Sequence, residues 1–278
     1  MKIRFSIVGM LITLLTVAVA AIWAFPLYWT VVTTLKPEYE VVAPGVHLIP
    51  QAPTLDSYLY VFEHTIIEKW YINSIVTASA TTFLVIAISA ACGYAVSQLQ
   101  FPGRRILFGI VVASFMVPIP ALIISHFVLM NDFGLINTWA GIVLPQLMFP
   151  LPIATMVYRQ FFDSIPKEFR EAAVVDGANE FDVFLKIFVP MTWGVTVALA
   201  IYTFIVTWNN FFYPFLLTTS DTAMTVPVGI TQVHDAFGVQ YARNLAGAVL
   251  AALPVAAAYL IFQRRVTEAV MLSAGIKG

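Results

Sequence analysis

The sequence predicts an all-α integral membrane protein with six transmembrane helices. Hydrophobic residues make up 60% of the 278 and charged residues only 10%, whereas a soluble domain carries roughly 25% charged residues. Six long runs lack charged side chains, and about 20 apolar residues suffice to cross a bilayer. A single cysteine, Cys92, excludes a disulfide framework and a thiolate metal cluster.

The charge-free runs locate the spans, because a charged side chain at the bilayer centre costs roughly 2.5–3.5 kcal/mol on insertion scales. We predict a single transmembrane domain over residues 1–278, with a proline-rich external loop at 36–69 and a polar loop at 159–190. The six predicted spans cover residues 7–34, 71–98, 106–130, 135–158, 191–217 and 244–263.

Lysine and arginine set the orientation of these spans. With the N-terminus inside, 11 of the 14 lysines and arginines fall in the cytoplasm, and Lys36, Lys69 and Arg243 remain outside. Basic residues concentrate in cytoplasmic loops of membrane proteins. The sequence therefore predicts that both termini and the polar loop are cytoplasmic.

The first span has a second interpretation as a cleaved signal peptide. Lys2 and Arg4 precede an apolar stretch that contains small residues from Ala18 to Ala20. The hydrophobic run continues to Leu35, which is longer than a signal core, and this favours an uncleaved helix.

Small residues and prolines predict how the spans pack. Ser89, Gly93 and Ser97 recur at four-residue spacing in the second span, which predicts close approach of a neighbouring helix. Prolines in the third and fourth spans remove backbone hydrogen bonds and predict bent helices, which suit a cavity that opens alternately to either side. These prolines are Pro118, Pro120, Pro145, Pro150 and Pro152.

The polar loop reads as a helix, a tight turn and a second helix on the membrane surface. Pro166 suits a first helical position, and Gly177 suits a left-handed stop. A second helix is predicted to open at Asn179 and to end before Pro190.

The first of these helices combines small and charged side chains. Ala172 and Ala173 allow a surrounding cleft to approach closely, and Glu171 and Asp176 offer carboxylates to basic groups at its rim. The residues therefore indicate a docking knob for a soluble partner. Their spacing alone favours an ordinary amphipathic surface helix.

The fifth span carries the candidate solute path. Trp208, Asn209, Asn210 and Tyr213 place amides beside aromatic rings, which is the chemistry that holds sugars. The alternative is that the amides bond to neighbouring helices or lie at the outer membrane interface. His126, in the third span, is interpreted as packing or lining the cavity, since one histidine makes no proton relay.

The polar loop resembles the cytoplasmic signature of ABC importer permeases. The matching residues are Glu171, Ala172, Ala173, Asp176, Gly177, Ala178, Phe184, Ile187 and Pro190. Flanking stretches at 159–166, 208–209 and 274–278 agree, and the likeness runs from about residue 26 to residue 278. It is to the carbohydrate-uptake permeases of the maltose type, specifically their shorter six-helix partner. Gly194 stands where many relatives have a second proline.

This resemblance implies a type I ABC importer fold in a multi-pass protein of the bacterial cytoplasmic (inner) membrane. It implies that a coupling helix within 164–178 docks into a separate ATPase, which binds ATP and magnesium, so that this chain needs no cofactor. The implied partners are a second permease subunit, usually a different chain, two ATPase subunits and an extracytoplasmic solute-binding protein. The resemblance also implies that Gln263, Gly275 and Lys277 of the C-terminal tail contact the ATPase dimer.

The motifs that the chain lacks narrow the function. The sequence contains no Gly-x-x-x-x-Gly-Lys-Ser/Thr phosphate loop, no metal-ligand spacing and no basic cluster for nucleic acid. We therefore expect a non-enzymatic pore subunit of an ATP-driven importer for a sugar or sugar-like solute, with a polyol or a glycerol-phosphate derivative as the alternative cargo. A membrane-embedded enzyme that uses His126, Asp132 or Asp163 is less favoured, because the predicted topology places the two aspartates on opposite sides of the membrane. A secondary transporter is also less favoured, because the predicted spans lack acidic residues and the polar loop around Glu171 is exposed.

Overall fold

The computed structural model describes residues 7–233 and 240–273, with side chains over 8–233 and 240–261. Its α-helices are α1 (Ile7–Thr34), α2 (Glu38–Val41), α3 (Asp56–His64), α4 (Ile67–Gln98), α5 (Arg104–Phe115), α6 (Ile119–Asp132), α7 (Trp139–Gln146), α8 (Pro150–Ser164), α9 (Glu168–Val175), α10 (Glu180–Val183), α11 (Val189–Met191), α12 (Trp193–Trp208), α13 (Phe212–Leu217), α14 (Val226–Gly229) and α15 (Tyr241–Ser273). The chain divides into two compact units, Met1–Ile67 with Ile230–Leu253, and Glu68–Gly229 with Pro254–Gly278.

In the first unit, the predicted external loop is ordered by side chains that bind backbone groups. The Lys36 ammonium is buried, donates to the His47 carbonyl at 2.5 Å and lies 4.6 Å from the centre of the Trp29 ring. The buried Glu40 carboxylate accepts the backbone N–H of Gln51 at 3.0 Å. Glu38 accepts two N–H groups at the start of α15, at 2.9 and 3.0 Å, where a helix N-terminus favours an anion.

In the second unit, α4 packs against α8. The Ser89 hydroxyl donates to the Leu151 carbonyl at 3.1 Å, and the Ser97 hydroxyl donates to Asp163 at 2.6 Å. Between them, a Cβ at Gly93 would come within 2.7 Å of the Tyr158 Cβ. The close approach predicted from the spacing of small residues is therefore confirmed, and its partner is α8.

A buried cluster beneath the polar loop holds together the ends of α4, α8 and α12 that lie next to this loop. Its largest side chains are Tyr94, Tyr158, Phe162 and Phe188, which contact one another edge-on or stacked at 5.1–6.0 Å between ring centres. Aromatic packing of this kind adds to the stability that burial alone provides. This cluster is the platform on which α9 rests.

Within the described residues, three helices are long and apolar enough to cross a membrane, Val8–Thr34, Ile67–Gln98 and Tyr241–Ile261. Three further pairs of consecutive helices are long and apolar enough only when taken together, and the two helices of each pair meet at a sharp angle. α5 and α6 meet at 100°, α7 and α8 at 51°, and Glu180–Met191 and Trp193–Trp208 at 78°. The count reaches the six predicted spans when each bent pair is taken as one span.

Prolines account for two of these bends. Pro118 has an extended backbone at the N-cap of α6, and α5 has already ended at Phe115. Pro150 and Pro152 lie in the first turn of α8, where backbone N–H groups have no partner within the helix, so proline causes no loss of hydrogen bonds there. The predicted bends are thus present, but Pro118, Pro150 and Pro152 lie where a new helix starts instead of bending a continuous one, and Pro145 lies inside α7.

Candidate functional site

The polar loop folds as two short helical segments joined by a tight turn. α9 begins at Glu168 with Lys167 as its N-cap, so Pro166 lies before the helix and not at its first position as predicted. A hydrogen-bonded turn over residues 166–169 accounts for the shift, because the Pro166 carbonyl accepts the Phe169 N–H at 3.3 Å. Glu168 and Glu171 occupy the first turn, where the helix dipole favours negative charge.

The end of α9 forms as the sequence predicts. Gly177 has a φ of +88°, and its N–H bonds to the Val174 carbonyl at 3.0 Å. The Ala178 N–H reaches back to the Ala173 carbonyl at 3.0 Å, which completes a Schellman motif. Asn179 then caps the next helix, since its side chain accepts the Asp182 N–H at 3.0 Å.

The second segment does not end before Pro190 as predicted. It runs from Glu180 to Met191 and contains a π-helical turn at Phe184–Phe188. In that turn the Val189 N–H bonds to the Phe184 carbonyl five residues earlier. We attribute the wider turn to Pro190, whose ring clashes with the carbonyl four residues before it in a regular α-helix.

The surface of the loop is divided between an exposed face and a packed face. Glu171, Ala172 and Asp176 are exposed, and Ala173 and Ala178 pack against the buried cluster under the loop. Several large apolar side chains of the loop also face outward, and the most exposed are Val175 at 86% and Phe181 at 68%. The exposed face is therefore apolar at its tip and acidic at its side, which suits a protein partner.

One carboxylate joins the loop to the spans. Glu180 accepts from Arg170 at both oxygens, with an Nε to Oε2 distance of 3.2 Å and a shorter second contact from Nη2. The Tyr94 hydroxyl on α4 donates to the same Oε2 at 2.8 Å. The hydrogen bond from Arg170 lowers the pKa of the Glu180 carboxyl, so this residue, which precedes the predicted fifth span, is charged at neutral pH.

A cavity of about 960 Å³ lies beside this carboxylate. Both signs of charge line it, and the charged residues are Arg104, Asp163, Lys167, Arg170, Glu171 and Glu180. Because both signs of charge are present, the cavity has no net preference for an anion or a cation.

The residues predicted for the solute path are only partly brought together. His126 Nδ1 lies 2.8 Å from the Tyr213 hydroxyl, so these two side chains meet. Asn209 donates to the Ile205 carbonyl of its own helix at 3.0 Å, and Asn210 accepts the Tyr213 N–H at 3.2 Å. Both amides therefore serve the local backbone around the break between α12 and α13.

Trp208 is placed in a packed environment at the end of α12. It is 2% exposed, and its ring centre lies 5.8 Å from that of Phe204 and 5.9 Å from that of Tyr71. Tyr213 is also 2% exposed. In this conformation the two aromatic residues stabilise the fifth span from within.

A family model described as "Binding-protein-dependent transport system inner membrane component" matches residues 83–267, which include α9, Gly177 and Glu180. The chain belongs to this family of ABC importer permeases. The match covers the polar loop, the spans on both sides of it and the first part of α15.

Two curated relatives align with nearly the whole permease. The arabinooligosaccharides transport system permease protein AraQ of Bacillus subtilis is 30% identical over 99% of this chain and 98% of its own length. The trehalose transport system permease protein SugB of Mycobacterium tuberculosis is 34% identical over 91% of this chain and 92% of its own length. Among solved structures, a chain of a bacterial ABC transporter involved in the import of the acidic polysaccharide alginate superposes with a TM-score of 0.81, at 22% identity, over 95% of this chain and 99% of that one.

Part of the predicted ATPase contact of the permease lies outside the described residues. Gly275 and Lys277 fall beyond the last described residue, and Gln263 is described only as part of the backbone of α15. Among the described residues, no group of three histidine, cysteine or acidic side chains could hold a metal ion.

Sequence reasoning missed several residues of the permease loop. Val175 and Phe181 gave no signal, because a single apolar residue in a short helix is as compatible with burial as with exposure. Glu180 gave none either, since its two partners lie 10 and 86 residues away in the sequence. An acidic residue directly after an N-cap is ordinary helix chemistry, and only the fold reveals what it binds.

Proposed function

We propose that this permease is one of two membrane subunits that form the pathway of an ATP-driven importer for a sugar or sugar-like solute. The cargo class is supported by relatives whose names specify arabinooligosaccharides and trehalose. Both compounds are carbohydrates that present many hydroxyl groups. The proposal places the permease in the bacterial inner membrane with both termini in the cytoplasm, in line with the excess of lysine and arginine in its predicted inner loops.

The observation that carries the proposal is the form of the polar loop. α9 is a short helix with an exposed outer face, and it rests on a packed aromatic cluster through Ala173, while Ala178 of the following turn packs against the same cluster. Such a knob can be held by a cleft in another protein while it stays firmly attached to the spans. The sequence contains no phosphate loop of its own, so the proposal assigns ATP binding and hydrolysis to two copies of a separate ATPase subunit.

The proposed mechanism is mechanical. ATP draws the two ATPase subunits together, the clefts move the α9 helices of the two permeases with them, and the bent spans reopen toward the outside. A solute-binding protein docked outside favours the same state, so ATP and loaded binding protein shift one equilibrium. The 78° bend at Thr192 lies directly between the polar loop and α12, so a change in this angle would move α12 relative to the loop.

The test is ATP hydrolysis and solute uptake by the assembled complex in proteoliposomes, comparing wild type with Gly177→Asp and Glu171→Ala. Gly103→Asp is the matched control, because Gly103 and Gly177 share a φ of +88° and neither has a neighbour within 4 Å of an added Cβ. We expect solute uptake to fall about tenfold or more in Gly177→Asp, corresponding to at least about 1.4 kcal/mol. Glu171→Ala should weaken retention of the ATPase, and Gly103→Asp should transport normally.

Two results would contradict this proposal. Normal coupled uptake by both loop variants would reduce α9 to a surface helix. Uptake that proceeds without the ATPase and depends on an ion gradient would assign the chain to secondary transport.

A further inference from the structure

The Glu180 junction, defined as Tyr94, Arg170 and Glu180, connects three separate helices at one carboxylate. Glu180 is the first residue of α10, Arg170 lies on α9, and Tyr94 lies on α4. Glu180 Oε2 accepts from both Arg170 Nε and the Tyr94 hydroxyl, at 3.2 and 2.8 Å. The angle between α9 and α10 and their distance from α4 are therefore fixed by the same group.

The two halves of the junction differ in their surroundings. The Arg170 and Glu180 side chains are 31% and 41% exposed, so water reaches the ion pair. Tyr94 is only 4% exposed, and its ring contacts Phe162, Phe184 and Phe188 at 5.1–6.0 Å between ring centres. The junction is thus exposed to water on the side of α9 and buried on the side of α4.

The apolar contacts of the polar loop with the cluster, through Ala173 of α9 and Ala178 of the turn that follows, are less directional. Ala173 and Ala178 touch the cluster through single methyl groups, which resist separation but allow sliding. The guanidinium of Arg170 binds both carboxylate oxygens in a planar fork, which fixes orientation as well as distance. A force that moves α9 sideways is therefore resisted first at Glu180.

We propose that the residues of the Glu180 junction are positioning residues that transmit displacement of α9 to α4. This inference rests on the proposed function, because it assigns a route for movement that the ATPase is proposed to impose. α4 runs without a break from Ile67 to Gln98, so it carries displacement at its inner end to the far side of the membrane. Loss of the junction leaves α9 able to bind the ATPase but moves α4 less.

The experiment measures ATP hydrolysis by the reconstituted complex with and without its binding protein loaded with a transported sugar, and counts ATP hydrolysed per sugar imported. Tyr94→Phe removes only the hydroxyl and keeps the packed ring, and Glu180→Gln removes the charge. In both variants we expect sugar-stimulated hydrolysis to fall about fivefold. The ATP count per sugar should rise, and basal hydrolysis and copurification of the ATPase should stay at wild-type levels.

Two control variants separate positioning from stability. Tyr158→Phe deletes a buried hydroxyl of the same cluster, which donates to Thr196 at 2.8 Å but does not contact the loop. Lys186→Gln removes an ion pair to Asp182 that lies within one helical segment. Both should keep the wild-type stimulation and ATP count, even where the melting temperature falls.

Wild-type stimulation in both Tyr94→Phe and Glu180→Gln would overturn the inference. A loss in Tyr158→Phe equal to that in Tyr94→Phe would also overturn it, since general packing would then explain the effect. If the wild-type complex itself shows no stimulation by the loaded binding protein, the proposed function fails and the inference fails with it.

Discussion

Gly93 shows how one residue determines the distance between two helices. A Cβ added there would meet the Tyr158 Cβ at 2.7 Å and the Arg159 nitrogen at 3.1 Å. Neither atom is the end of a flexible side chain, so any larger residue must push α4 and α8 apart. In lipid, where apolar surface alone does not drive helices together, such close contact is a main source of association.

We expect Gly93→Ala to destabilise the permease by about 1–3 kcal/mol, the usual cost of overpacking a closely packed contact. Gly109→Ala is the matched control, because a Cβ at Gly109 in α5 meets nothing within 4 Å and alanine favours the helix. The apparent melting temperature of each variant in the same detergent checks this. An equal melting temperature for Gly93→Ala and wild type would show that the two helices can separate freely.

The residues that sequence reasoning placed correctly are those whose partners are close in the chain. Gly177 and Asn179 act on groups within five residues, and turn and cap chemistry therefore predicts both. Asn209 and Asn210 were predicted to face solute or neighbouring helices, and in the structure they bind their own backbone. The sequence cannot distinguish these outcomes, because an amide serves either purpose equally well.

At the scale of the element, the broken spans are the main difference from the sequence expectation. Charge-free length predicts where the chain can cross a bilayer, but it carries no information on continuity. The prolines of the third span predict a kink, whereas the observed angle between α5 and α6 is 100°. A proline predicts that the helix is interrupted, but its presence alone does not fix the angle at which the next helix starts.

Asn179 gives a prediction at this scale, since it caps the helical segment that carries Glu180. We expect Asn179→Ala to destabilise the start of α10 by about 1 kcal/mol, and Asn179→Ser to retain the cap and most of the stability. Hydrogen exchange of the amides at 182–185 in the assembled complex measures this directly. Equal protection in the alanine and serine variants would show that the side-chain bond to Asp182 is dispensable.

For the molecule as a whole, composition and charge-free runs sufficed to predict the fold class. The family match and the TM-score of 0.81 to an ABC importer chain confirm it. The buried Lys36 and Glu40 of the first unit could not be foreseen, because charged residues in a loop usually face water. They are satisfied by backbone groups of the loop itself, and these partners are visible only once the loop has folded.

The orientation of the permease is testable with its own exposed residues. Cys92 is the single native cysteine, so Cys92→Ala provides a thiol-free background. Val46 and Val175 are 74% and 86% exposed and lie in the predicted external and cytoplasmic loops. We expect a membrane-impermeant thiol reagent to label Val46→Cys in intact spheroplasts and Val175→Cys only after lysis. The reverse pattern would invert the topology and remove α9 from the reach of ATP.

The π-helical turn at Phe184–Phe188 has a consequence for how this loop can vary in length. A turn that spans five residues instead of four holds one residue more than a regular helix, while it turns the chain through about the same total angle. In a regular α-helix one additional residue would rotate everything beyond it by about 100°. The π-helical turn therefore accommodates its extra residue with the Glu180 carboxylate still beside Tyr94. A residue inserted into the regular helix Trp193–Trp208 has no such turn to absorb it and would rotate the loop relative to the rest of the fifth span.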